Sequence, residues 1–493
     1  MSLKPAAAIT CLLVAIGACT QESDAPPNSY ARALVNDHEV RILMSVGDRV
    51  DGPGDSQFQM VGIPDGLGVD ADSRTIYMNH ELGNDLVSEP IVGEPLNRGA
   101  FISLLTVDQN GKVVAGERAY TSVYAENDLV GPAADSSNDT PAFGGFCSGT
   151  LVGRAEGFDR TMYLTGEERV GKESFDGRGG QSVAVFDNEL HTLPRLGRFE
   201  KENTLIMSGT GELTVAVSLE DGPTTADSQL YMYVGEKEPG ASSVLAKNGL
   251  DNGELFVFSS TDPARNSEAT FQQGTIEGSW KPIAGAVGMT DAELESAADS
   301  VGAFSFVRLE DGAFSPSAPS TFFFATTGGN RHDGNTVGRL YRVAIDPTDP
   351  AGRTSELEIL TNTDTVLASG DDGVINPDNL GVSDTYLMVQ EDGVTDGRRA
   401  MARKDRNGSI WRFRLIDGGT SIDPAGDRIV ELDPPARDGV LVGPGMWESS
   451  GIVEASSLFG EGTWLFDVQA HTPTTAPVEN TVEDGQLLLL EPT

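Results

Sequence analysis

The chain has 493 residues and a formal charge of −41, with 75 acidic side chains against 34 basic ones. That balance excludes a nucleic-acid partner, because a phosphate backbone would be repelled. It suits instead a salty or calcium-rich medium, where carboxylates are screened or metal-bound, and the 58 glycines point to many short strands joined by tight turns.

The N-terminus reads as a leader. Lys4 gives a short basic start, and Ala6 to Ala18 form an apolar stretch of signal-peptide length, too short to span a bilayer. It ends Ile16-Gly17-Ala18-Cys19, which resembles the bacterial lipobox, whose cysteine is lipidated and becomes the first residue of the mature chain. The other reading is an ordinary signal peptide with a chance cysteine. On the lipobox reading, residues 1–18 are a lipoprotein signal peptide, 19–35 a flexible tether containing Pro26-Pro27, and 36–493 a single domain. The protein is then held on the bacterial cell envelope by a lipid on Cys19; it is separately expected to be a monomer. Thr20 is not the aspartate of a retention signal, which favours the outer membrane. No later segment is long and apolar enough to cross a membrane.

Three markers then recur in one order along the chain. A strand pattern with a polar end appears at Thr75–Glu81, Thr161–Glu168, Gln229–Glu236, Thr321–Thr327, Thr385–Asp392 and Thr463–Gln469. Each copy is trailed by a glycine that opens an apolar strand, at Gly99, Gly180, Gly253, Gly338, Gly408 and Gly485. Each is preceded by a short polar marker: Asp65-Gly66, Ser148-Gly149, Asp221-Gly222, Asp311-Gly312, Asp378-Asn379 and Ser450-Gly451. Six repeats of about 70–90 residues predict an all-β, six-bladed β-propeller. Short helical insertions are expected between strands, such as one near Thr290 to Ser300, capped by Thr290 or Asp291. Two β-sandwich domains would leave the sixfold order unexplained.

Equivalent markers form a ring around the channel of such a propeller, so carboxylates converge from distant parts of the chain. The candidates are Asp65, Glu81, Glu167, Glu168, Glu220, Asp221, Glu310, Asp311, Asp378, Glu391 and Asp392. Like charges crowded in this way raise one another's pKa and are tolerated mainly with cations among them. Cys147, in Gly144-Gly-Phe-Cys-Ser-Gly149, belongs to the same ring. With Cys11 in the leader and Cys19 taken by the lipid, it has no disulfide partner. It is either a small buried apolar residue or a soft thiolate ligand among carboxylates. His80 could bind a metal or orient a neighbour. Arg308, two residues before Glu310, could hold an anionic phosphate or simply pair with that glutamate. No Gly-x-Ser-x-Gly elbow, P-loop or His-Glu-x-x-His occurs, so the usual hydrolase motifs are missing.

At these residues the sequence resembles the PhoX-type alkaline phosphatase family. The matching pieces are Asn79-His-Glu81, Cys147-Ser-Gly149 with Leu164-Thr-Gly-Glu-Glu168, and Leu196-Gly-Arg-Phe-Glu-Lys-Glu202. They continue with Arg308-Leu-Glu-Asp311, Asn376-Pro-Asp-Asn-Leu380, Gln390-Glu-Asp-Gly393, Ser450-Gly-Ile452 and Asp467-Val-Gln-Ala-His471, in family order over nearly the whole chain after about residue 40. The resemblance implies a six-bladed propeller with iron and calcium at the top of its channel, releasing phosphate from extracytoplasmic esters. Cys147, Glu202 and Glu310 would be iron ligands. Glu81, Glu167, Glu168, Glu220, Asp221 and Asp392 would be calcium or bridging candidates, and Arg308 would hold the phosphate. Three features depart from the family pattern: Ser148-Gly-Thr-Leu-Val152 follows the cysteine, Lys201-Glu202 stands where a His-Glu pair is expected, and the leader carries no twin arginine. The other functional class is a non-catalytic, calcium-stabilised propeller that binds a ligand at its channel mouth.

Overall fold

Each repeat folds into an antiparallel sheet, and the first strands of the six sheets stand side by side around one axis. The computed structural model describes residues 29–222, 227–329, 334–433, 442–471 and 480–493; the leader, Cys19 and most of the tether lie outside these. Blade one is Pro64–Asp70, Thr75–His80, Phe101–Val107 and Val113–Arg118, and blade two is Phe146–Val152, Met162–Glu167, Ser182–Phe186 and Glu189–Thr192. Blade three runs Lys201–Ile206, Leu213–Glu220, Leu230–Glu236 and Glu254–Ser260, and blade four Leu309–Phe314, Thr321–Thr326, Arg339–Ala344 and Ser355–Asn362. Blade five is Pro377–Val382, Tyr386–Glu391, Ser409–Ile416 and Asp427–Leu432. Blade six takes Glu448–Glu454, Trp464–Ala470 and Asp484–Pro492 from the C-terminus and His38–Ser45 from the N-terminus. Each innermost strand touches the next, and that of blade six touches that of blade one, so the ring is closed.

Blades hold together through apolar faces that meet between them. Leu164, Leu196 and Tyr231 pack between blades two and three, and Phe258, Phe306, Phe324 and Tyr341 between three and four. Leu67 and Met78 of blade one meet Leu465, Leu487 and Leu489 of blade six. At about 1.5–3 kcal/mol per fully buried large apolar side chain, these faces are the main stabilising term. Strand Thr275–Pro282 pairs with the outer strands of both blade three and blade four and merges them into one nine-stranded sheet. The expected helical insertion is Asp291–Val301, with Thr290 as N-cap in a capping box with Glu293.

Two expectations are corrected. The Gln229–Glu236 copy falls on the third strand of its blade, where the other five fall on the second, and Asp221-Gly222 follows the second strand, where the other five markers lie on the first. The markers slipped by one strand here because consecutive strands of this blade are all apolar and buried, so either fits the pattern. Ala31–Ala33, inside the expected tether, pairs with Val430–Leu432 at the edge of blade five.

Blade six is closed by a strand from the other end of the chain, so the ring depends on that strand. Removing the chain through Ser45 exposes the edge of Asp484–Pro492 and part of the cores beside it. The melting midpoint followed by circular dichroism is expected to fall by about 10 °C or more and the transition to broaden. An unchanged melt would show that closure contributes nothing.

Candidate metal centre

One local device builds the centre. In blades one to five the start of the innermost strand carries an extra residue relative to its partner. The register runs Pro64↔His80 then Leu67↔Met78, and Phe146↔Glu167 then Gly149↔Thr165. It shifts in the same way after Lys201↔Glu220, Leu309↔Thr326 and Pro377↔Glu391. Such a bulge bends the strand and re-aims a side chain. The first bulged residue is in turn Asp65, Cys147, Glu202, Glu310 and Asp378, each of a metal-ligand type. The residue before three of these strands, Ile63, Arg308 and Asn376, has a φ of 51°, 55° and 48°, and Gly145 has 56° at the same place. Left-handed backbone at non-glycine residues costs on the order of 1–3 kcal/mol each and is held here by the surrounding sheets.

A second rule operates at the ends of the second strands, where successive side chains point to opposite sides. The last strand residues turn away from the channel. Glu167 accepts backbone N–H groups of Gly144 and Phe175 at 3.1 and 2.7 Å. Glu220 accepts the N–H of Gln229 at 2.9 Å, and Lys201 is its charged neighbour. Glu391 is locked to Arg406 at 2.6 and 2.9 Å and to Trp411. Glu167 and Glu220, expected as metal ligands, accept backbone N–H groups and belong to none of the candidate ligand sets found among the described residues. His80 occupies the same position in blade one. Its Nε2 lies 2.8 Å from Ser103 Oγ, its ring stacks on Phe101, and burial depresses its pKa to about 4. It is a neutral, orienting histidine. The next residue in each case, Glu81, Glu168, Asp221 or Asp392, faces the mouth.

Together these rules bring three overlapping ligand sets within reach of single ions. They are Asp65, Glu81 and Cys147; Cys147, Glu168 and Glu202; and Glu202, Glu310 and Asp378, with the ligand atoms of each set all within 4.8 Å of one another. Glu448, from blade six, acts electrostatically on Asp65, Glu81 and Asp392. Arg308 donates Nε and Nη2 to Asp221 at 2.8 and 2.7 Å, and Nη2 lies 3.2 Å from Glu310. Polar neighbours brace the ring: Ser148 donates to Glu202, and Asn379 to Ser148 at 2.7 Å. Ser450 and Gln469 donate to Asp65 at 2.9 and 3.0 Å.

The donor set fits cations. Asp65 and Glu202 are fully buried, Glu310 and Asp378 nearly so. One oxygen each of Glu202 and Asp378, and both of Asp467, have no hydrogen-bond partner among the described residues, and Glu310 Oε1 has only the Arg308 guanidinium at 3.2 Å. Burial, reinforced by Glu81, Glu202 and Glu448, holds Asp65 well above the usual carboxylate range. Burial also pushes Glu202 up to about 8 and, with Glu448, lifts Glu81 and Asp392 to about 7. Cys147 is raised by burial and by Asp65 beside it. These are groups that ionise only against positive charge.

The departure at Lys201 does not reach the centre. Its Nζ donates to Leu196 O at 2.9 Å, 3.4 Å above the Phe199 ring, while Glu202 alone turns inward. Sequence reading placed Asp65 and Asp378 in the ring without naming them ligands. It missed Glu448, whose only signal is its place two residues before Ser450-Gly451.

A family model described as alkaline phosphatase PhoX matches residues 187–434, just over half of the chain. The chain belongs to the PhoX alkaline phosphatase family. Among solved structures, PhoX of Pseudomonas fluorescens, in complex with vanadate as a transition-state analogue, aligns at a TM-score of 0.62 and 16% identity, covering 93% of this chain and 95% of that one. This shows a shared PhoX fold. An α-L-arabinofuranosidase of Fusarium graminearum aligns at a TM-score of 0.42 and 9% identity, covering 91% and 98% of the two chains. Aldose sugar dehydrogenase of Escherichia coli aligns at 0.37 and 10%, covering 92% and 100%. No curated protein matches this PhoX chain.

Glu202→Gln is expected to remove bound metal in elemental analysis. Glu167→Gln should keep the full complement and cost no more than about 1 kcal/mol of stability, because its amide oxygen still accepts the Gly144 and Phe175 N–H groups; equal metal loss in both would contradict the placement. The raised carboxylates also set a pH dependence. Their folded pKa values lie above the unfolded values of 4.5 for the glutamates and 3.8 for Asp392, so the metal-free fold binds more protons than the unfolded chain from about pH 4 to about 8. Metal-free protein should therefore lose stability from pH 5 to pH 8 in denaturant titrations, and added calcium should restore it at pH 8. Stability that rises over this window without metal would overturn the account.

Proposed function

We propose that this PhoX-family phosphatase works as a phosphomonoesterase of the cell envelope, with iron and calcium in its channel mouth. The carrying observation is the set of buried carboxylates and one thiol around a single engaged guanidinium, that of Arg308. Cys147 is a soft donor shared by two of the three ligand sets, which favours a transition metal such as iron there. Glu202, Glu310 and Asp378 offer oxygen only, which suits calcium. Bound cations would supply positive charge toward the phosphoryl oxygens and lower the pKa of an attacking water.

The chain's own part is orientation and charge. Asp221 holds the Arg308 guanidinium through two N–H groups, leaving Nη1 without an acceptor among the described residues and directed by a rigid base. The side chain is 19% exposed, so a substrate phosphate can reach it. A phosphate oxygen accepting from Nη1 would be fixed in orientation and partly neutralised in a low-dielectric mouth. Ser148, Asn379, Ser450 and Gln469 keep the carboxylates in place and satisfy their remaining lone pairs. The lipobox-like Ile16 to Cys19 supports export and lipid anchoring, although it lies outside the described residues; no helix among those is long and apolar enough to cross a membrane.

Metal-loaded protein is expected to release phosphate from a generic monoester. Cys147→Ala and Arg308→Ala should each lower kcat/KM by about 100-fold or more. Elemental analysis should find iron as well as calcium. Calcium alone with no phosphate release would favour a calcium-stabilised binding module, and full activity in Cys147→Ala would refute the iron–thiolate assignment.

A further inference from the structure

A second arginine stands at the mouth and is not absorbed by the metal centre. Arg169 follows Glu168 directly, and its side chain lies across Gly144 and Gly145, just before the strand that carries Cys147. A Cβ at Gly144 would come within 2.9 Å of the Arg169 Cγ and 3.1 Å of Nε; one at Gly145 would come within 2.5 Å of Nη1 and 2.9 Å of Cζ. Both positions must lack a side chain for the guanidinium to lie where it does, and Gly145 also takes a φ of 56°. Nη1 donates to the Glu168 carbonyl at 2.6 Å, which fixes the plane of the group.

Nε and Nη2 have no acceptor among the described residues, and Arg169 makes no ion pair there. Carboxylates are nevertheless close enough to feel its charge, notably Glu81 and Glu200. Glu200 feels Arg308 as well, so the two guanidiniums border one stretch of rim. An arginine kept only as a counter-charge would pair with its carboxylate, as Arg308 does with Asp221. Arg169 instead keeps two adjacent donors free in a seat built for it, and such a fork matches an oxyanion.

We propose that Arg169 binds a second oxyanion on the alcohol side of the ester, so that the preferred substrates are phosphomonoesters carrying a further carboxylate or phosphate. This rests on the phosphatase reading above. The test measures binding of non-hydrolysable probes to metal-loaded protein by calorimetry: n-alkylphosphonates, and the same chains ending in a carboxylate or in a second phosphonate. The wild type is expected to bind at least one acid-ended probe about tenfold more tightly than its alkyl match, and the chain length that does so gives the spacing. The carboxylate and phosphonate arms tell which oxyanion is preferred. Arg169→Met should bring that preference to within about twofold, and Arg169→Lys, which keeps the charge without the fork, should fall between.

A preference that persists in Arg169→Met would place the second acid on the metals and overturn the inference. So would a wild type with no preference at any length, or a variant in which both probes weaken in equal proportion. A wild type that shows the preference but releases no phosphate from esters would refute the phosphatase reading and leave the role of Arg169 standing.

Discussion

Asp65, Glu202, Glu310 and Asp378 are buried carboxylates from four different blades, and removing each from water costs several kcal/mol unless a proton or cation compensates. The protein supplies one arginine in direct contact with this group, and that arginine is already held by Asp221. The remaining compensation comes from protons when metal is absent and from cations when it is bound. Glu202, lifted to about 8 by burial, is one of the groups that keeps its proton in the metal-free fold. The polar groups around the centre follow from this constraint. Asn379, Ser148, Ser450 and Gln469 are neutral donors that satisfy lone pairs while leaving oxygens open to a metal.

The propeller solves the placement problem by repetition. One bulge, five times over, turns the second residue of the inner strand toward the axis, and the blades differ in what that residue is. Alternation at the ends of the second strands then divides adjacent residues into two roles. Glu167, Glu220 and Glu391 close loops and pair with outer groups; Glu168, Asp221 and Asp392, one residue later, face the mouth. Strain is concentrated at the same level of the channel, where Ile63, Arg308 and Asn376 take left-handed backbone. At Arg308 that strain has a use, since it turns a side chain that precedes its strand back over the centre.

Much of this was legible in the sequence, and the failures have physical causes. The six repeats, the acidic ring and the singular Cys147 follow from the order of turn residues and from residue chemistry. The third blade slipped by one strand because burial on both faces erases the alternation that would have fixed its register. Glu167 and Glu220 were placed among the ligands because adjacent residues cannot be told apart without knowing where the strand ends. The same ambiguity left His80 with two readings, which its contacts with Ser103 and Phe101 resolve. Lys201, a departure from the family pattern, is harmless for the reason that misplaced Glu220: both lie on the outer side of a paired position.

No blade owns a complete ligand set. The first set draws on blades one and two, the second on two and three, and the third on three, four and five. The centre therefore exists only when five consecutive blades pack side by side, in a ring that His38–Ser45 closes by joining strands from the far end of the chain. Binding that requires the closed ring stabilises it in turn, by an amount that grows with metal concentration relative to affinity. Fold and site are thus one equilibrium. Ions in the three sets would together hold five blades against the repulsion of their own carboxylates, and the same repulsion makes the site a receptor for highly charged cations.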